Sequence, residues 1–247
     1  MLVYPVVLIL IFFWHRAILE NEDSWLNDRI INAAQNLLRI RYYTPGLQNT
    51  LLPSIQQNEV VGGEEFVQVL HSGGNHWITI STIGCSDSTV SIYDSIYCTI
   101  PECTKKQICA LLMSSEAYIN LLFVNVDKQA NQSDCGLYAL AFCTALCAGN
   151  DPQNLTFSAG DAMREHLKQC ISRQKIEPFP CTVMARRRRV RKMERIEIIC
   201  LCRSIKFGKV VQCDVCKELF HQECLTVQPI FLDNPRTQWI CNLCQNS

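Results

Sequence analysis

Three things are missing from this sequence of 247 residues: a net charge, an internal repeat and an apolar stretch that crosses a bilayer comfortably as a helix. The 23 Lys and Arg residues balance 23 Asp and Glu residues, so there is no global excess to drive binding to nucleic acid or to an acidic surface. The apolar head, Leu2 to Trp14, falls short of the roughly 20 residues a spanning helix needs. No basic residue precedes it and no convincing small-residue cleavage site follows, so it lacks the marks of a signal peptide. Residues 1–19 are read as a hydrophobic head, open between an anchor and a buried first segment, and a membrane is not an expected partner. The distribution of the 16 cysteines argues against a secreted disulfide framework. Seven fall in the last 48 residues at metal-ligand spacings, and the others sit in periodic apolar segments, where a free thiol behaves as a small hydrophobe. That usage suits a reducing compartment, nucleus or cytoplasm.

Locally the charge is uneven. Residues 1–185 carry 11 basic and 17 acidic groups, residues 186–192 carry 6 basic and none acidic, and residues 193–247 carry 6 of each. An acidic body, a basic joint and a neutral tail follow. The joint, Arg186 to Lys192, has no interleaved aromatic to stack on bases, so sequence-specific nucleic-acid binding is not expected. It reads as a linker over 182–196 and also fits a nuclear import segment, which favours the nucleus.

Asp23 and Ser24 read as the cap of a helix over Trp25–Arg39 that places Ile30, Leu37 and Leu38 on one face. A turn-rich stretch over 50–65 precedes three strand-like runs, Phe66–His71, His76–Ile83 and Thr89–Tyr93, with hairpin-like connections. A helix over Lys105–Met113, a buried strand over Leu121–Val126 and two helices, Cys135 to about Cys147 and about 159–172, complete the body. This order predicts an α+β class.

Cys135 falls where a polar, turn-prone run gives way to an apolar helix, so the helix N-terminus would favour a thiolate. A cysteine nucleophile needs a base and a group that orients the base. Of five histidines, His15 follows the head, His166 lies on the last helix, His221 belongs to the metal pattern, and His71 and His76 remain. His76 opens a strand after Gly73-Gly74-Asn75, and Asp94 ends the next strand, where a hairpin could bring the two together. An oxyanion donor could come from Gln129 or Gln132, with the Cys135 amide beside it. The segments Trp25-Leu-Asn-Asp, Asn75-His76-Trp77, Tyr93-Asp94-Ser95 and Gln129-x-Asn131-x-x-Asp134-Cys135-Gly136 resemble, in order, those of the Ulp/SENP-type ubiquitin-like-protein proteases. The resemblance covers about 20–181. It implies a papain-like (adenain/Ulp-type) cysteine protease fold, with Cys135 as nucleophile, His76 as base, Asp94 as its orienting partner and Gln129 as oxyanion donor. It further implies that Trp25 and Trp77 sandwich the Gly-Gly tail of a ubiquitin-like modifier, SUMO-like or related. Two indoles can make a slot too narrow for a residue with a Cβ.

The tail, residues 197–247, carries Cys200-x-Cys202, Cys213-x2-Cys216, His221-x2-Cys224 and Cys241-x2-Cys244. Four ligand pairs make two closed tetrahedral sites, which are structural, so two zinc ions are expected here and none in catalysis. The ligand order, with Phe220 and Trp239 in place, resembles a PHD finger. In that family the sites interleave: Cys200, Cys202, His221 and Cys224 would hold one zinc, and Cys213, Cys216, Cys241 and Cys244 the other. The resemblance makes the histone H3 tail a candidate partner. Phe207 occupies a cage-like place, but Ile199 and Leu219 are aliphatic, which favours an unmodified tail or another peptide. The rival function is a non-catalytic, transposon-derived chromatin- or histone-tail-binding adaptor. The presence of Cys135, His76 and Asp94 together favours a thiol protease that hydrolyses the bond after Gly-Gly.

Overall fold

In the structure, a computed structural model, residues 15–51, 65–112, 118–158, 160–184, 190–198, 210–225 and 238–245 are described. The whole apolar run Leu2–Trp14, most of the turn-rich stretch, the first basic residues of the joint, and Ile199, Cys200, Cys202 and Phe207 lie outside them. Among the described residues no helix is long and apolar enough to cross a membrane.

A five-stranded sheet is the frame, in the order β1 (Val67–His71), β2 (Trp77–Ser81), β3 (Thr89–Tyr93), β4 (Tyr118–Val124) and β7 (Val190–Glu197). The first three strands form the antiparallel meander expected from the hairpin turns, and β3 and β4 run parallel across α2 (Glu102–Leu111). The period-2 pattern divides the sheet into two buried faces. Ile78, Ile80, Val90, Ile92, Leu121 and Phe123 point to one side, which α2 covers through Ile108 and Leu111. Val67, Val69, Trp77, Tyr93 and Val124 point to the other, beneath α1 (Asp28–Tyr42), α3 (Cys135–Cys147) and α4 (Gly160–Ser172). Helix α3 is apolar nearly all round and buried along its length, as the central helix of that layer must be.

Two differences from the sequence reading bear on the site and its surroundings. Helix α1 starts at Asp28 rather than Trp25, because the Asn27 side chain caps it by accepting the Ile30 N–H at 3.1 Å. Trp25 and Leu26 are thereby left off the helix and free to dock elsewhere. The second half of the expected linker is the edge strand β7, paired antiparallel with β4. Its strand period is hidden by charge: Lys105 and Lys192 pair with Glu194, Arg195 stacks over the Tyr118 ring at 4.3 Å, and only Ile196 reads as core. A small ribbon, β5 (Leu155–Phe157) with β6 (Cys181–Val183), closes the body. The tail contributes a second ribbon, β8 (Val210–Gln212) with β9 (Leu219–His221), and a short helix α5 (Asn242–Gln245).

Candidate active site

Cys135 is the first residue of α3. The polar run before it is wound by Asn131, whose side-chain oxygen accepts the Ser133 and Asp134 N–H groups at 3.1 and 3.0 Å. The Asx turn delivers the chain into the helix without a side-chain cap, so Cys135 opens the first turn. Gly136 is required beside it: a Cβ there would lie 2.9 Å from the Leu26 Cβ. Leu26 therefore packs directly on the helix start, and the Trp25 indole N–H reaches the Gln132 carbonyl at 2.8 Å.

His76 arrives from the turn between β1 and β2. Gly73 and Gly74 adopt left-handed backbone, φ 78° and 51°, and Asn75, a residue that tolerates that region, follows at 62°. The turn closes with the Ser72 N–H donating to the His76 carbonyl at 2.7 Å. It sets the Asn75 carbonyl 3.6 Å from the Cys135 Sγ and brings the imidazole to the same place. The β2–β3 hairpin then supplies Asp94: its Oδ2 lies 2.9 Å from the His76 Nε2, and its Oδ1 accepts the Ile96 and Tyr97 N–H groups at 2.7 and 2.8 Å. With both oxygens engaged, the carboxylate cannot rotate away from the ring. Burial alone would push the His76 pKa down; hydrogen bonds to Asp94 and Cys135, with the charge on both, outweigh it and lift the pKa to about 9. Tyr97 meets the ring edge-on at 5.1 Å.

The structure thus brings together Cys135, His76 and Asp94. Gln129 joins them at the rim of a cleft of about 500 Å³ lined by His76, Tyr97, Lys128, Gln132 and Arg191. Its amide oxygen accepts the Ser95 hydroxyl and its NH₂ donates to the Asn131 carbonyl at 2.7 Å. Cys135 is 1% exposed, with the Asn75 carbonyl of the turn beside its Sγ. Trp25 and Trp77 line a second cleft of about 360 Å³, with Leu26, His71 and Asn75. Trp77 is nearly buried, its N–H held by the Leu26 carbonyl at 2.8 Å, while Trp25 is 48% exposed. Burial lowers the His71 pKa and the neighbouring His76 lowers it further, against the opposing charge of Asp28.

One group that sequence reasoning passed over holds the site in place. Arg164 of α4 pairs with the buried Asp134 at 3.0 Å, donates to the Ser24 carbonyl at 2.7 Å and reaches the Ile18 carbonyl at 3.2 Å. Ser133 adds a bond to the Glu22 carbonyl at 3.0 Å. These contacts tie the cysteine loop to the segment that carries Trp25. The signal was present: Arg164 falls on the apolar stripe of its helix with Met163, Leu167, Cys170 and Ile171, where a charge has to find a buried partner.

In the tail, the sulfurs of Cys213, Cys216, Cys241 and Cys244 lie within 4.8 Å of one another, and those of Cys216 and Cys241 are 3.8 Å apart. A tetrahedron with zinc–sulfur bonds near 2.3 Å has edges of about 3.8 Å, so the four fit that ion. The Cys224 Sγ lies 3.8 Å from the His221 Nδ1, as two ligands of a second site would, and the partners expected for them, Cys200 and Cys202, are outside the described residues.

Residues 67–181 match the model of the Ulp1 protease family, C-terminal catalytic domain, and residues 200–244 match the PHD-finger. The chain is similar to the C-terminal Ulp1 protease domain solved with Smt3, the yeast ortholog of SUMO, at 15% identity over 62% of this chain and 78% of that one, with a TM-score of 0.45. It is also similar to the Ulp1-like SUMO protease catalytic domain of Chaetomium thermophilum, at 13% identity over 62% and 72%, TM-score 0.38. A third is a de-sumoylating protease, at 11% identity over 65% and 85%, TM-score 0.43. No curated protein sequence matches the chain.

Proposed function

We propose that this chain, with its α+β Ulp1-type protease domain followed by a PHD finger, is a cysteine peptidase that cleaves after the Gly-Gly tail of a ubiquitin-like modifier. The observation that carries the reading is the His76 imidazole, fixed by Asp94 at 2.9 Å, at the turn whose Asn75 carbonyl lies 3.6 Å from the sulfur of a cysteine at a helix start. The match of residues 67–181 to the protease family supports it.

The Cys135 sulfur adds to the carbonyl carbon of the terminal glycine, and the carbonyl electrons move onto oxygen, where Gln129 and the Cys135 N–H donate to the oxyanion. The C–N bond then breaks, and the proton on His76 passes to the departing amine, a lysine or a peptide N-terminus. Water attacks the thioester carbon, its proton passes to His76, and the tail leaves as a carboxylate with the thiolate restored. Asp94 acts only through His76, holding its Nε2–H. Trp25 and Trp77 flank the tail, where a side chain beyond glycine would collide. Cys213, Cys216, Cys241 and Cys244 would hold one zinc ion and Cys200, Cys202, His221 and Cys224 a second, and these ions would supply folding free energy to a tail too small for a core of its own. The finger's peptide partner is proposed to be a histone H3 tail, and the basic run 186–192 a nuclear import segment. The domain limits proposed are 20–198 for the protease, whose sheet includes β7 and whose core includes Ile196 and Ile198, and from about 200 onward for the finger.

Coumarin amides of SUMO-type and other ubiquitin-like modifiers provide the test. Release from at least one, abolished by Cys135→Ser, is expected. No release from any modifier would overturn the reading.

A further inference from the structure

The two clefts share Trp25 and Asn75 and differ in everything that does chemistry: Trp77 and His71 line only the first, His76 and Gln129 only the second. The acid that protonates a departing amine has to stand on the leaving-group side. With the tail between the tryptophans, the released lysine and its flanking peptide therefore belong in the His76 cleft. This rests on the protease reading above.

That cleft has a definite charge. Among the described residues Lys128 and Arg191 line it, and no carboxylate does. The feature is local, since residues 1–185 carry 17 acidic against 11 basic groups. Lys128 is pinned at the site, its ammonium donating to the Asp94 carbonyl. Arg191 comes from β7, the strand on the way to the finger and outside the matched protease segment. It is on the exposed face of that strand and makes no hydrogen bond or ion pair with a described residue, whereas its neighbour Lys192 is paired with Glu194. A guanidinium left unpaired at the rim of a cleft is available to a carboxylate of the substrate. We infer that this cleft selects acceptor sequences with an acidic side chain next to the modified lysine, and that Arg191 is the main determinant of that choice.

The test uses the full chain and a SUMO-type modifier joined through its Gly-Gly terminus to the lysine of short acceptor peptides with Asp, Gln or Lys at the flanking positions. The expected order of kcat/KM is Asp over Gln over Lys, by about three- to fivefold per step, the size of an exposed ion pair. The spread should shrink as salt rises. Within each enzyme, the Asp-to-Gln ratio should fall toward one in Arg191→Gln and invert in Arg191→Glu, an inversion that loss of folding cannot produce. Equal cleavage of all three conjugates, or ratios unchanged in both variants, would overturn the inference while leaving the protease reading standing. Failure to cleave even the Gln conjugate would overturn the SUMO-type reading and the inference with it.

Discussion

The protonation of His76 is set by its neighbours more than by its burial. Its pKa, raised from 6.5 to about 9 by Asp94 and Cys135 against the opposing effect of burial, has two consequences of known sign. The contribution of the charged imidazole to stability is complete below the unfolded value of about 6.5 and is lost as pH rises through about 9. The rate on amide conjugates should fall along the same limb, since the departing amine needs that proton. Replacing Asp94 by Asn puts an NH₂ where an acceptor is needed, because the two backbone N–H groups already hold the remaining oxygen. Asp94→Asn should lose roughly 10³- to 10⁴-fold in kcat/KM, as other triads do, and shift the alkaline limb to lower pH. A pH–rate profile checks both, and an unchanged limb would remove Asp94 from its assigned role. These residues were legible because each occupies a special place in the chain: after a glycine turn, at a strand end, at a helix start. The choice between Gln129 and Gln132 was not legible from position. In the folded chain both reach the cleft, and Gln132 is distinguished by giving its carbonyl to Trp25.

Among the elements, the start of α3 depends most on distant partners. Asp134 is buried and is held by Arg164 and by the Asn131 amide at 2.8 Å. Arg164→Ala strands that carboxylate and should cost about 3–5 kcal/mol in urea unfolding. The double variant with Asp134→Asn should lose less than Arg164→Ala alone, and equal losses would show that the pair is not what is broken. Gly136→Ala forces Leu26 off the helix start and should destabilise by about 1–3 kcal/mol, while raising KM through the displaced Trp25. The β1–β3 meander and helices α3 and α4 were readable because their periods are written in apolar residues. Strand β7 was not, because its inward positions include Lys192 and Glu194, whose pairing appears only once the chain is folded. The start of α1 was misplaced for a related reason. Asp23 and Ser24 look like caps, but Asn27 does the capping, since Trp25 and Leu26 are drawn to the cysteine loop.

At the scale of the whole molecule, the body and the tail are held together by different forces. The body has apolar layers on both faces of its sheet, whereas the described tail has a cluster built on Cys213, Phe220, Cys241 and Trp239. Chelation should therefore unfold residues 200–244 and leave the body folded, with coumarin release from the modifier persisting; hydrogen exchange distinguishes the two parts. A tail that keeps its protection in excess chelator would contradict the zinc assignment. The two-part organisation was legible from ligand spacing and from charge. The role of β7 in linking the protease sheet to the finger was not, because it requires knowing which strand is at the edge. The central claim, a modifier-tail protease acting through Cys135, is tested most directly by a covalent trap. A SUMO-type modifier with a vinyl sulfone in place of its terminal glycine carboxylate is incubated with the intact chain, and the adduct is mapped by peptide mass spectrometry. A single adduct on Cys135, absent in Cys135→Ser and slowed in His76→Ala, is the predicted result. No adduct, or one spread over other exposed thiols such as Cys103 and Cys181, would contradict the account.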